Sequence, residues 1–195
     1  NHLVIMRIRS HTPRARRPFV LALLLSLIAL PAQASFVVEN GSSELIDGAL
    51  NTSARLNLSI SGDPEIALSK GISLTLVVQS ELHRASLASL FFKIASWQDR
   101  YQIEYQGLSN RFTLTRLIDG STRDFATLSE TLSSLERYSD RQRLPEGVSS
   151  EDKLQFRMRV VLDRGELPGP LRLLALVLPE WRLDGSWGRW MVASP

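Results

Sequence analysis

Apolar and polar residues alternate along much of this chain, most clearly over Arg100–Ile118. A period of two is expected of a half-buried strand. The alternation is interrupted once, at residues 107–110 (Gly-Leu-Ser-Asn), which are typical of a turn. The apolar positions are Tyr101, Ile103 and Tyr105 before the turn and Phe112 and Leu114 after it. Two such runs joined by a short turn predict a β-hairpin.

Similar patterns predict further strands at Phe36–Glu39, Ser43–Leu50, Ala54–Ser61, Ile72–Leu82 and Gln155–Asp163. With the hairpin, these make about seven short strands separated by turn residues. The sequence therefore predicts a mainly β fold, an immunoglobulin-like antiparallel β-sandwich of about seven strands with two or three short helices.

Two segments carry helix signals. Asp63 as N-cap, Pro64 at the first helical position and Gly71 as the stop predict one short helix. Phe125–Tyr138 predicts the clearest helix, with a capping box at Thr127–Glu130. Its leucine stripe, expected to pack on the core, is Leu128, Leu132 and Leu135.

Two further segments are ambiguous. Ser86–Trp97 has apolar residues at helical spacing, which favours a short helix over an irregular crossover. The apolar run Leu171–Leu178 is too short to span a membrane. We expect it to cross the bottom of the core, although an exposed run would suit contact with lipid or a partner.

The first 34 residues have the features of a signal peptide, with translation starting at Met6. Five arginines precede the apolar run Phe19–Leu30, and Ala32 and Ala34 fit signal-peptidase cleavage after Ala34. The sequence thus predicts export to the periplasm and one β-rich domain over residues 35–195. The alternative is an inner-membrane anchor through an uncleaved signal, but its apolar run is shorter than the roughly twenty residues a span requires.

Removing the leader reverses the net charge. Five of the 23 basic residues and none of the 20 acidic residues lie in the first 34, so the remainder has 18 basic against 20 acidic residues. This balance disfavours nucleic-acid binding, which needs a basic face. The chain has no cysteine and therefore no disulfides, even in an oxidising compartment.

Catalytic motifs are scarce. His83 is the only histidine after the leader, and no G-x-S-x-G motif accompanies it. We therefore expect a surface or strand-end histidine, no bound metal or other cofactor, and no enzymatic activity. The alternative is a cofactor-free hydrolase of an envelope polymer that uses Glu104 with Asp119 or Asp163.

Three of the four tryptophans lie within ten residues near the C-terminus. Together with the neighbouring arginines they form the candidate binding set Trp181, Arg182, Trp187, Arg189 and Trp190. Aromatic rings and guanidinium groups suit a glycan, a peptide or a lipid headgroup. The competing interpretation is that the rings close the end of the core.

The chain also resembles a bacterial family of exported proteins, domain of unknown function 4390. The motifs that carry the resemblance are Asp47-Gly48, Ala67-Leu68-x-x-Gly71-Ile72, Arg100-Tyr101-x-Ile103-x-Tyr105, Leu108-Ser109-x-x-Phe112, Leu162-Asp163, Leu167-Pro168-x-Pro170-Leu171-Arg172 and Pro179-x-Trp181-Arg182-Leu183 followed by Trp187-x-Arg189-Trp190. The resemblance implies export in Gram-negative bacteria and genes beside those of a nitrogen-type sensor kinase. It implies no reaction and no catalytic residues.

These observations favour a non-enzymatic periplasmic binding or accessory protein linked to a neighbouring sensor kinase. Its expected partner is an envelope protein or a glycan or peptide ligand, with peripheral membrane contact as a further expectation. The alternatives are the hydrolase and a lipid-contacting structural protein.

Overall fold

The computed structural model describes residues 35–85, 91–149 and 151–193; the predicted signal peptide lies outside these ranges. Within them the strands are β1 Ser35–Ile46, β2 Ala49–Ser59, β3 Leu74–Ala85, β4 Phe91–Gln106, β5 Arg111–Arg116, β6 Thr122–Phe125, β7 Arg137–Arg143, β8 Leu154–Leu162 and β9 Gly188–Ala193. The α-helices are α1 Asp63–Ser69, α2 Leu128–Ser133 and α3 Gly169–Val177, with 3₁₀ turns at Arg164–Glu166 and Pro179–Trp181.

All the described strands belong to one sheet, in the order β6-β5-β4-β3-β8-β9-β1-β2-β7. Neighbours pair antiparallel except β1 and β9, which pair in parallel over only two residue pairs. The mainly β prediction is confirmed. The arrangement, however, is a nine-stranded sheet curled into a half-barrel rather than a seven-stranded sandwich. A curled sheet buries its concave face against itself, so its strands show the same alternation as those of a sandwich.

The core fills the concave face. Alternate residues of the central strands β3 and β8 point inward and are almost fully buried, including Leu76, Leu82, Phe156 and Met158. Helix α2 contacts β2 near one edge of the sheet and β5 and β6 at the other. It therefore covers the opening between the two edges, and its buried Leu132 confirms the prediction that this stripe packs on the core.

The predicted hairpin is confirmed as β4 and β5. Tyr105 lies opposite Phe112 and Ile103 opposite Leu114, and the Tyr105 and Phe112 rings are 5.0 Å apart. Asn110 ends the connecting turn with a φ of 53°, a left-handed conformation that asparagine tolerates better than most residues.

Four sequence predictions need correction. The predicted strand Phe36–Glu39 and the first part of Ser43–Leu50 form one strand, β1, with an irregularity between Val38 and Asn40; the rest of Ser43–Leu50 is the turn into β2 and its first residues. The described part of Ser86–Trp97 belongs to β4, not to a helix, because it pairs with β3 up to Phe91. The helix predicted over Phe125–Tyr138 ends at Ser133. In helix α1, Gly62 rather than Asp63 is the N-cap, and Asp63 lies in the first turn.

The sequence around helix α2 shows why strand β7 was not predicted. Thr127 caps the helix by accepting a hydrogen bond from the Glu130 amide, as the predicted capping box requires. The reciprocal bond differs, because the Glu130 carboxylate accepts from the Ala126 amide at 3.1 Å rather than from that of Thr127. The chain then enters β7, whose backbone pairs with β2 from Arg55 to Ala49. This tertiary pairing outweighs the local helical signal, because strand preference depends mainly on the neighbours that a segment meets.

Candidate functional site

The five predicted binding residues divide into core and surface positions. Trp181 is 1% exposed and belongs to the core. Trp190 is partly buried: its indole Nε1 donates a hydrogen bond to the Ser43 hydroxyl at 2.9 Å, and its ring lies 5.4 Å from that of Phe156. Trp190 also packs so closely on Gly41 that an added Cβ there would collide with the ring. These two tryptophans therefore stabilise the fold.

Trp187 has a different environment. It lies in the loop just before β9 and is partly exposed. Two guanidinium groups lie against its ring, Arg159 at 4.6 Å and Arg157 at 4.9 Å from the ring centroid. Both distances fall within the range of a cation–π interaction. We call Trp187, Arg157 and Arg159 the Trp187 surface.

Strand geometry brings these groups together. Arg157 and Arg159 are two residues apart on β8, so they share its outward face while Phe156 and Met158 point into the core. Antiparallel pairing places Arg189 of β9 opposite Arg157. Paired residues lie on the same face of a sheet, so the predicted residue Arg189 adjoins the Trp187 surface, whereas Arg182 is exposed in the preceding loop.

The two arginines are only weakly neutralised. Arg159 donates from Nε to the amide oxygen of Gln79 at 2.8 Å, and no carboxylate among the described residues lies within ion-pair distance of it. The ion pair of Arg157 is long, 3.8 Å to Glu81, and its buried Nε has no hydrogen-bond partner within the described structure. The surface therefore keeps positive charge that no nearby carboxylate fully neutralises.

Glu81 already has other hydrogen-bond partners. Its carboxylate accepts hydrogen bonds from His83 at 2.9 Å and from Lys93 at 3.4 Å. Burial acts to raise the pKa of Glu81, but the hydrogen bonds from His83 and Lys93 outweigh it, so the pKa lies below its ordinary value. His83 lies near the end of its strand as predicted, although it is buried rather than at the surface.

A second polar cluster, which the sequence did not reveal, lies on the concave side. Arg116 donates to the carboxylate of Asp99 through Nη2 at 2.7 Å and through Nε at 3.0 Å. The Tyr101 hydroxyl donates to the same carboxylate at 2.8 Å. Burial and the nearby Asp99 raise the pKa of Tyr101. Arg116 also lies 3.8 Å from Asp140, so this Arg116 cluster links β4 and β5 to β7 across the curled sheet.

The carboxylates of the hydrolase alternative have other partners. Asp163 pairs with Arg100 at 2.8 Å and accepts from the Gly165 amide at 2.9 Å. Asp119 accepts from the Ser121 amide at 2.9 Å, and Glu104 accepts a long bond of 3.4 Å from Gln106. These contacts give none of the three a feature that favours general acid or base chemistry.

Other kinds of site find little support in the described residues. Among them no group of three histidine, cysteine or acidic side chains is arranged to hold a metal ion. No helix in this part of the chain is long and apolar enough to cross a membrane. A shallow groove of about 450 Å³ crosses β1, β2 and β7, and its lining includes Arg55 and Arg137 but no acidic residue or histidine.

The fold and the Trp187 surface together define a mainly β domain with an aromatic and basic outer face. The chain belongs to the family described as domain of unknown function DUF4390, whose model matches residues 33–191. Comparisons with curated proteins and with solved structures gave no match.

The sequence supplied part of this site. Alternation along Gln155–Asp163 placed Arg157 and Arg159 outward, and the C-terminal cluster contained Trp187. Their meeting depends on the pairing of β8 with β9, which are separated by α3 and two 3₁₀ turns. Trp187 is far in the sequence from Arg157 and Arg159, and no local pattern encodes a contact between such distant residues.

Proposed function

We propose that this protein is a non-enzymatic binding protein of the periplasm, and that its Trp187 surface holds an acidic group of another envelope component. The observation that carries the proposal is the convergence of two weakly neutralised guanidinium groups on one partly exposed indole. The gene neighbourhood implied by the family resemblance suggests an accessory role beside a sensor kinase.

The ligand chemistry follows from the groups present. A guanidinium group recognises a carboxylate through paired N–H donors, and neither Arg157 nor Arg159 has a close acidic partner among the described residues. The indole adds a flat apolar surface on which a side chain or sugar ring can rest. A carboxylate-rich segment of a partner protein satisfies both features.

The test uses a synthetic glutamate-rich peptide as the probe, titrated into the protein and followed by calorimetry. We expect saturable binding that weakens as salt increases, because exposed charges are screened. The double variant Arg157→Gln/Arg159→Gln should lose at least about tenfold in affinity, or about 1.4 kcal/mol.

The matched control is Arg123→Gln. Arg123 also lies over an aromatic ring, 5.8 Å from the centroid of Phe125, but on the edge strand β6. This control should bind the peptide like the unaltered protein. Equal binding by the double variant and the unaltered protein would contradict the proposal, as would equal losses in the double variant and the control.

A further inference from the structure

Helix α3 leaves most of its apolar side chains in solvent. The exposed fractions are 67% for Leu173, 53% for Leu174, 57% for Leu176 and 71% for Val177. Within this helix, all of which the structure describes, only Ala175 is buried. The sequence-based expectation that this run crosses the core is therefore wrong. A cluster of this kind on a soluble surface marks a contact with something apolar.

Helix α3 lies at one end of the sheet, and the elements next to it in the chain show which end this is. It follows β8 through the 3₁₀ turn Arg164–Glu166 and precedes the turn Pro179–Trp181. That second turn contacts α1, which follows the C-terminal end of β2. Ser35, the first residue of β1, pairs with Ser59 at that same end of β2. The chain therefore enters the sheet at the end where α3 lies.

The sequence before Ser35 indicates what lies near this end of the sheet. Four residues separate the apolar run Phe19–Leu30 from Ser35, so Leu30 and Ser35 are at most about 18 Å apart. In the uncleaved chain, whenever that apolar run is in a bilayer, Ser35 and its end of the sheet are close to lipid. The composition of α3 suits the same neighbour, because it is aliphatic, lacks acidic residues and carries the exposed Arg172.

We propose that α3 lies on a phospholipid surface, with Leu173, Leu174, Leu176 and Val177 at the acyl boundary and Arg172 toward the phosphates. This contact is at one end of the sheet and does not depend on the ligand of the Trp187 surface. It would orient the domain with its α3 end toward the membrane.

The absence of cysteine from the chain makes a site-specific test direct. Leu176→Cys in the full chain is labelled with an environment-sensitive fluorophore and mixed with vesicles of phosphatidylethanolamine and phosphatidylglycerol. We expect a blue shift in emission and quenching by lipids that carry a quencher in the acyl chain. Val177→Cys is a second labelling site with the same expected result.

The matched control is Ile46→Cys. Ile46 is 46% exposed and ends β1 at the opposite end of the sheet from Ser35, so its label should remain in water. Three outcomes would overturn the proposal. The first is water-like emission from the label on the Leu176→Cys variant with vesicles present. The second is a blue shift without lipid that grows with protein concentration, and the third is a blue shift without lipid that does not change with protein concentration. The second outcome identifies another copy as the occupant, and the third identifies a segment of the chain itself.

Discussion

Arg116 and Arg159 lie on strands of the same sheet, and each contacts an aromatic ring, but their electrostatic environments differ. Arg116 is 6.0 Å from the Tyr101 ring centroid and bonds directly to Asp99, with Asp119 at 3.5 Å and Asp140 at 3.8 Å. Its hydrogen bonds with Asp99 raise the pKa of Arg116. Arg159 is closer to its ring, at 4.6 Å, and its hydrogen-bond partner is the neutral amide of Gln79.

This difference in environment distinguishes Arg116, which stabilises the fold, from Arg159, which is available for binding. Asp99 is 5% exposed, so its charge must be compensated inside the protein, and Arg116 compensates it. On the Trp187 surface no comparably buried carboxylate of the described residues holds Arg159. The presence or absence of a buried acid therefore predicts which of two similar arginine–aromatic pairs contributes to folding and which to recognition.

The largest expected difference is between Trp181 of the core and Trp187 of the Trp187 surface. Trp181→Ala should lower the free energy of unfolding by about 3–5 kcal/mol, because it leaves a cavity in the core. Trp187→Ala should cost under about 1 kcal/mol, since mainly cation–π contacts are lost. Urea unfolding followed by circular dichroism measures both. Similar losses in the two variants would show that Trp187 is also part of the core.

The next effect concerns the buried carboxylate. Asp99→Asn removes the carboxylate that accepts hydrogen bonds from Arg116 and Tyr101. It should cost about 2–3 kcal/mol in the free energy of unfolding, because hydrogen bonds to a charged group contribute about 1.5–3 kcal/mol. The control is Asp184→Asn at the Arg164 pair, where the acid is 44% exposed; its cost should be under about 1 kcal/mol. If Asp99→Asn were as stable as this control, the Arg116 cluster would not be what holds the edges of the sheet together.

The smallest effect concerns Glu81, beside the Trp187 surface. Because its pKa is lower in the folded protein, its ionised form stabilises the fold above the ordinary value of 4.5. That contribution is lost as the pH falls through the folded-state pKa. Glu81→Gln lacks it, so the variant's free energy of unfolding should fall less steeply below about pH 4.5. Denaturation at a series of acidic pH values measures the slope, and equal slopes would contradict this account.

The elements predicted best were those whose signals are local. The β4–β5 hairpin needs only alternation and a turn, and the Thr127 N-cap of α2 needs only a suitable residue at the start of the helix. Features set by distant pairing were missed. Strand β7 is polar on its outward face and forms against β2, and the curl of the sheet leaves no periodic signal in the sequence.

The candidate site divides in the same way. The tryptophan cluster was visible in the sequence, but the division of its members between core and surface depends on the sheet. Asp99 and Arg116, 17 positions apart, meet only because β4 and β5 pair. The exposure of α3 was equally hidden, since an apolar run has the same composition whether it faces the core or the solvent.

The most direct test compares the two arginine environments in one experiment. NMR signals of the arginine Nε–H groups are recorded while the glutamate-rich peptide is added. We expect the signals of Arg157 and Arg159 to shift and saturate together, while the Arg116 signal stays in place because its donors are held by Asp99. Unmoved Arg157 and Arg159 signals at a peptide concentration that saturates binding, or an equal shift of Arg116, would contradict the distinction between the two environments.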